Sequence, residues 1–285
     1  MSRTSQRSTF RVLAGMVIPV YRALAVPRWR GLENLPDSGG FVVVANHLTE
    51  LDPITVAYPV YKAGIMPRFL AKESLFRIPV VGHLLGRIGQ VPVYRGTSRA
   101  KDSLDAAFQE LADGGAIIVY PEGTITRDPT MWPMRGRTGA ARLALQADVP
   151  VVPVAHWGDQ EILYRDPQGH RTVHLWPRST VHVAVGEPVH ARDLVPGGIR
   201  QPGRPTAEEL ARATDTIMGA ITDLLSQLRG EPAPAHRFDP RGGAAASSPG
   251  TAASARERTA PSGPAGTDGA APGDELGSAD GDVAP

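Results

Sequence analysis

His47 and Asp52 stand five residues apart where an apolar run, Val42-Val43-Val44-Ala45, ends in Asn46-His47. A carboxylate that accepts a hydrogen bond from one imidazole nitrogen fixes the tautomer and leaves the other nitrogen as a general base. On one helix this spacing sets the pair about 140° apart, so the two meet only if His47 ends a strand and residues 48–51 fold back as a loop. A lone histidine followed by a helix-capping aspartate is the competing structural reading. Another apolar run ends in Tyr120-Pro121-Glu122-Gly123-Thr124 and carries a second carboxylate; an ordinary turn with a solvated Glu122 is its plainer reading. A third run ends at Arg95, and Arg127, Arg135 and Arg137 crowd the approach to a helix expected from Thr138. Cations at a helix N-terminus oppose its dipole and make sense if an anion sits there, held by guanidinium forks and helix amides. Alone, the cluster reads equally as a solvated basic loop.

The elements that must position these residues alternate. Strand-like runs cover 41–46, 66–72, 88–95, 116–121, 149–155 and 181–188. Helical patterns cover 53–62, with Asp52 as N-cap and Pro53 in the first turn, then 98–113, 138–147 and 206–228. Such alternation predicts an α/β fold, a mixed sheet with helices on both faces. His47, Glu122 and Arg95 then fall at the C-terminal edge of the sheet, where α/β proteins bind ligands.

Four blocks in this order resemble the glycerolipid acyltransferase family, of the lysophosphatidic-acid (1-acylglycerol-3-phosphate) acyltransferase type. They are Asn46-His47 with Asp52, the Gly89–Arg95 strand, Tyr120–Thr124, and the proline-bearing strand Val149–Val154. The resemblance covers about residues 28–228, and Lys72 also falls at a family position. It implies a glycerol-phosphate acyltransferase-like fold and acyl transfer to the free hydroxyl of 1-acylglycerol-3-phosphate, giving phosphatidic acid. His47 is then the base and Asp52 its orienting acid. Arg95 and one or more of Arg127, Arg135 and Arg137 clamp the acceptor phosphate. Asn46, Lys72, Gly123 and Thr124 join the substrate site, and Glu122 hydrogen-bonds an acceptor hydroxyl. The backbone amides after His47 are the expected oxyanion donors. The donor is an acyl thioester, acyl-CoA or acyl carrier protein, and no cofactor or metal is implied. Ile125 stands where the family carries Arg, and Tyr120 where it carries Phe. The first departure keeps open another lysolipid or a lipid-linked acceptor. A catalytically silent lipid-binding module is the reading from a different class.

Among the 285 residues there is no cysteine, which excludes disulfides and thiolate chemistry. No Gly-x-Ser-x-Gly elbow, Walker loop or zinc-finger spacing occurs, and nucleic acid is not an expected partner. Net charge is +5 over 1–230 and −4 over 231–285, a basic body suited to an anionic surface. The Ala/Gly/Pro-rich acidic segment 231–285 reads as disordered, leaving 28–230 as the acyltransferase domain. Residues 1–27 form an amphipathic helix with an apolar stripe Phe10, Leu13, Val17, Tyr21 and Leu24. Only ten uncharged residues separate Arg11 from Arg22, too few to span a bilayer. A helix lying on anionic lipid, a secretory signal, and a helix docked on the protein's own core all fit. The first places the protein at the cytoplasmic face of the cell membrane, peripheral or monotopic. His156-Trp157 reads as site lining or a satisfied core pair, and residues 75–85 as the border of an acyl groove or ordinary core.

Overall fold

The computed structural model describes residues 3–94, 100–166, 169–201 and 203–240. Arg95 and residues 241–285 of the expected tail lie outside them. In chain order the first elements are α1 (Arg3–Leu24), β1 (Ala25–Arg30), β2 (Phe41–Ala45), α2 (Asp52–Lys62) and β3 (Pro67–Lys72). Then come α3 (Glu73–Phe76), α4 (Pro79–Arg87), β4 (Val91–Val93), α5 (Ala100–Ala112) and β5 (Ala116–Val119). The chain continues through α6 (Gly139–Ala147), β6 (Val151–Trp157), a hairpin of β7 (Leu163–Arg165) and β8 (Arg171–Val173), β9 (Ser179–Val185) and α7 (Ala207–Arg229).

All five residues of β2 are buried, which only a strand covered on both faces allows. Val42 and Val44 pack with Ile117 and Val119 against α5, α6 and α7. Phe41, Val43 and Ala45 turn the other way, toward Val56 and Val60 of α2. This is the period-two alternation of a strand. The sheet order is β1-β9-β6-β2-β5-β3-β4. Strands β6, β2, β5, β3 and β4 run parallel, while β9 is antiparallel to β6 and β1 parallel to β9. The C-terminal ends of β2, β5, β3 and β6 therefore meet along one edge. Because β1 runs the other way, α1 enters the sheet at that same edge.

Local chemistry explains several boundaries. Thr206 and Glu209 form a reciprocal capping box at the start of α7, and Gly230 ends it in the left-handed region. Gly158 ends β6 at φ 120, where a Cβ would lie 2.2 Å from the Thr180 carbonyl oxygen; only glycine fits there.

Several expectations shift. Within the described part of the 88–95 run, residues 88–94, only Val91–Val93 is strand. Residues 75–85 fall in and between α3 and α4, where Leu84 and Leu85 line the cavity half-buried, Leu75 lines it while partly exposed, and Ile78 and Val80 stay exposed. Strand β6 runs on through His156 and Trp157. β1 and the β7–β8 hairpin are additions that periodicity did not reveal. Leu51, not Asp52, is the N-cap of α2. Residues 231–240 lie on the body: Arg135 N–H donates to the Phe238 carbonyl.

Helix α1 is docked on the protein. Of its predicted stripe, Phe10, Leu13 and Val17 line a cavity, and Tyr21 and Leu24 join a core cluster with Ile162 and Val181. Val12, Met16 and Val20, on the opposite side, are 65%, 60% and 62% exposed. Arg3 anchors the helix start through Asp113 at 2.6 Å and Glu110 at 3.2 Å. Among the described residues no helix is long and apolar enough to cross a membrane.

Candidate active site

Strand β2 delivers Asn46 and His47 to the sheet edge, and α2 begins with Asp52. The loop between them closes on the Asp52 carboxylate, which has 0% side-chain exposure. His47 Nδ1 lies 2.7 Å from Asp52 Oδ2. The Leu48 and Thr49 backbone N–H groups also donate to this carboxylate, and the Thr49 hydroxyl donates at 2.9 Å. A carboxylate accepts only, so Nδ1 carries the proton and Nε2 is the basic nitrogen. The ring stacks on Tyr120 at 4.2 Å between centroids, with 18° between planes. Tautomer, tilt and position of the imidazole are all fixed.

These contacts revise three expectations. The Leu48 and Thr49 amides are spent on Asp52, so they are not oxyanion donors. Glu122 is 3% exposed, and its two oxygens accept from the His47 N–H and the Met134 N–H, both at 2.9 Å. It faces inward and holds the strand end that carries His47, rather than meeting an acceptor hydroxyl. Asn46 is likewise internal: its amide exchanges two 3.0 Å hydrogen bonds with the backbone of His156, stapling β2 to β6.

A cavity of about 670 Å³ opens beside His47, within the usual ligand-pocket range of roughly 300–1,000 Å³. Its wall is mostly apolar, from Leu13 and Val17 of α1, Ile54 and Ala57 of α2, and Leu75 and Leu84 beyond β3. Lys72 and Arg137 line it too, as do Gly123 and Gly139 at the start of α6. Gly123 takes φ 74 and so brings backbone to the cavity without a side chain. The expected arginine cluster separates: Arg137 is at the cavity, whereas the Arg135 side chain lies 3.1 Å from Asp239 and Arg127 is an exposed loop residue outside the lining. Thr124 is half-buried beside Gly123.

Behind Asp52 lies a polar cluster that sequence reasoning left undecided. His156 is fully buried, with Nε2 2.9 Å from the Asn46 carbonyl oxygen and 3.6 Å from Asp52 Oδ2. Its Nδ1 lies 3.0 Å from Asp159 Oδ2, close enough for an ion pair though out of hydrogen-bond alignment. The Thr55 hydroxyl donates to Asp159 Oδ1 at 2.7 Å, and Tyr21 of α1 donates to Thr55 at 2.9 Å. Burial alone would lift the Asp52 carboxyl; the positive charge of His156 and the hydrogen bond from His47 outweigh this and hold it below the usual range. Burial pushes Asp159 up, and pushes Glu122 up to about 8 against its two amide donors. Burial would lower His156, but the Asp52 and Asp159 carboxylates raise it to about 9. The ligand atoms of Asp52, His156 and Asp159 lie within 4.8 Å of one another. Asp52 is already filled by His47 and two amides, and His156 Nε2 faces a carbonyl, so this donor set does not suit a metal.

Comparison with known proteins gives concordant results. Residues 26–157 match the family model described as Acyltransferase. A chloroplastic 1-acyl-sn-glycerol-3-phosphate acyltransferase of Brassica napus is 31% identical over 163 residues, covering 56% of this chain and 44% of that protein. The chain thus spans less than half the length of this plant relative. The 1-acyl-sn-glycerol-3-phosphate acyltransferase of Bacillus subtilis is 28% identical over 199 residues, 69% of this chain and 86% of that protein. In structure, the chain is similar to the LPA acyltransferase PlsC of Thermotoga maritima, with a TM-score of 0.55 and 22% identity over 80% of this chain and 83% of that one. That likeness establishes a shared fold.

The Glu122 shift has a measurable consequence. A carboxyl at about 8 in the folded protein and near 4.5 when unfolded binds its proton more tightly when folded. It favours folding below pH 4.5, and that contribution drains away as pH rises through 8. Between pH 6 and 9 the loss is on the order of 2 kcal/mol. Thermal unfolding of Glu122→Gln at these two pH values is expected to show a smaller gap than the parent protein. An unchanged gap would mean that Glu122 is ionised throughout.

Proposed function

The chain belongs to the acyltransferase family through its residues 26–157, and from this premise we propose that it transfers a fatty acyl chain from an acyl thioester to the free hydroxyl of 1-acylglycerol-3-phosphate. The observation that carries the reading is the His47–Asp52 pair at 2.7 Å, set at the wall of a mostly apolar cavity that also presents Lys72 and Arg137. His47 Nε2 takes the proton of the acceptor hydroxyl as its oxygen attacks the thioester carbonyl. The carbon–sulfur bond breaks, the new ester forms, and the proton passes from His47 to the leaving thiolate. Asp52 holds the ring and stabilises the transient imidazolium. A thioester has a good leaving group, so a positioned base and a held acceptor suffice without a covalent intermediate. Arg137 and Lys72 supply charge for the acceptor phosphate. The apolar wall shared by α1, α2 and α4 receives an acyl chain, and Gly123 lets the acceptor approach the backbone.

The same reading accounts for the outer face. α1 and α4 line the cavity with one side and expose Val12, Met16, Val20 and the 80% exposed Val80 on the other. Arg7, Arg11 and Arg22 are exposed along α1. This apolar and basic surface suits an anionic bilayer, and a lipid acceptor would then reach the cavity without crossing water.

Labelled oleoyl-CoA and lysophosphatidic acid are expected to give labelled phosphatidic acid, and His47→Ala is expected to lower turnover by roughly 10²–10⁴-fold while remaining folded. Full turnover in that variant would refute the assignment of the base. In sedimentation with phosphatidylglycerol vesicles, the triple variant Val12→Asp, Met16→Asp, Val20→Asp is expected in the supernatant and the parent protein in the pellet. Equal pelleting would reject α1 as the membrane contact.

A further inference from the structure

We propose that His156 is a positioning residue for the base: a doubly protonated imidazolium, sealed behind Asp52, that keeps the Asp52 carboxylate ionised and in place. The geometry fixes one proton and favours the second. Nε2 lies 2.9 Å from the Asn46 carbonyl oxygen, which only accepts, so Nε2 carries a hydrogen. Nδ1 lies 3.0 Å from a carboxylate oxygen of Asp159, within ion-pair range though out of hydrogen-bond alignment, so an ionised Asp159 favours a second proton there. A buried cluster with carboxylates at Asp52 and Asp159 and no cation between them would be costly. His156, 3.6 Å from the first and 3.0 Å from the second, supplies that cation.

The rest of the cluster holds this charge where it acts. Asn46 grips the His156 backbone on both sides, so the ring cannot leave β6. Asp159 is steadied by Thr55 of α2, and Thr55 by Tyr21 of α1. The charged and titratable groups facing His156 are Asp52 of α2, Asp159 after β6 and Glu122 after β5, with His47 beyond Asp52. Tyr21 and Tyr120 stay neutral, their hydroxyls raised by burial. A fixed positive charge on the far side of Asp52 keeps its carboxyl ionised. Without it Asp52 takes up its proton at higher pH, and the hydrogen bond that orients the His47 ring is lost over more of the acidic range.

The kinetic part rests on the acyl-transfer reading; the proton count does not. Histidine ring nitrogens are observed by ¹⁵N NMR in the full chain at pH 8, with the His156 signals assigned by their loss in His156→Gln. Both His156 nitrogens are expected to bear protons at a pH where an ordinary histidine is neutral. A neutral imidazole there would overturn the proposal whether or not the protein transfers acyl groups. In acyl transfer from oleoyl-CoA, His156→Gln is expected to lower kcat about 10–100-fold with KM for lysophosphatidic acid within about twofold, and to move the acidic limb of the rate profile up by about one pH unit. Loss of activity with an unmoved limb would mark His156 as structural only and overturn it. If His156→Gln does not fold, Asp159→Asn is read in its place. It removes the carboxylate facing Nδ1 and is expected to make His156 lose its proton at lower pH; an unchanged titration would contradict the assignment.

Discussion

A single buried carboxylate organises the functional edge of this protein. Asp52 has no solvent exposure, so its charge must be met by protein groups or be neutralised. It is met from several sides: the His47 ring, the Leu48 and Thr49 amides, the Thr49 hydroxyl and, beyond hydrogen-bond distance, His156. Satisfying those donors is what folds residues 48–51 back on themselves. The interaction that fixes the tautomer and position of the His47 ring is therefore also the one that shapes the loop between β2 and α2. Glu122 repeats the device on a smaller scale, taking the amides of His47 and Met134 and so joining the ends of β2 and β5.

The second constraint is that α1 belongs to the site. Because β1 runs against the five parallel strands, the helix before it arrives at the functional edge. Its inner side then walls the cavity while Tyr21 reaches the polar cluster through Thr55. An amphipathic helix thus closes the cavity beside His47 with one side and exposes Val12, Met16 and Val20 on the other.

Much of this was legible in the sequence. Strand β2 was readable because five apolar residues in a row suit a strand buried on both faces, and the five-residue gap to Asp52 forced a loop. The destination of Glu122 was not readable. Sequence shows that a carboxylate reaches the edge, but not that two amides will claim it once there. Arg135 and Arg137 looked equivalent for the same reason, since only the fold reveals that Asp239 takes one and the cavity the other. The α1 stripe was correctly found and its partner left open, because periodicity identifies a buried side without saying what buries it. His156 did leave a signal: a histidine inside the otherwise apolar Val151–Trp157, with an aspartate three residues on. A titratable group in such a strand needs fixed partners, and Asp159 was within reach. β1 was hidden because Pro27 and two arginines break its apolar pattern.

The central claim is that the Asp52 charge, and not merely its shape, makes His47 a base. Asp52→Asn keeps the volume and removes the charge, and acyl transfer from oleoyl-CoA to lysophosphatidic acid by the folded variant tests it most directly. The account predicts a fall in kcat of at least 10²-fold, since an amide can present its NH₂ to the ring and favour the wrong tautomer. Turnover within a few-fold of the parent protein would contradict it.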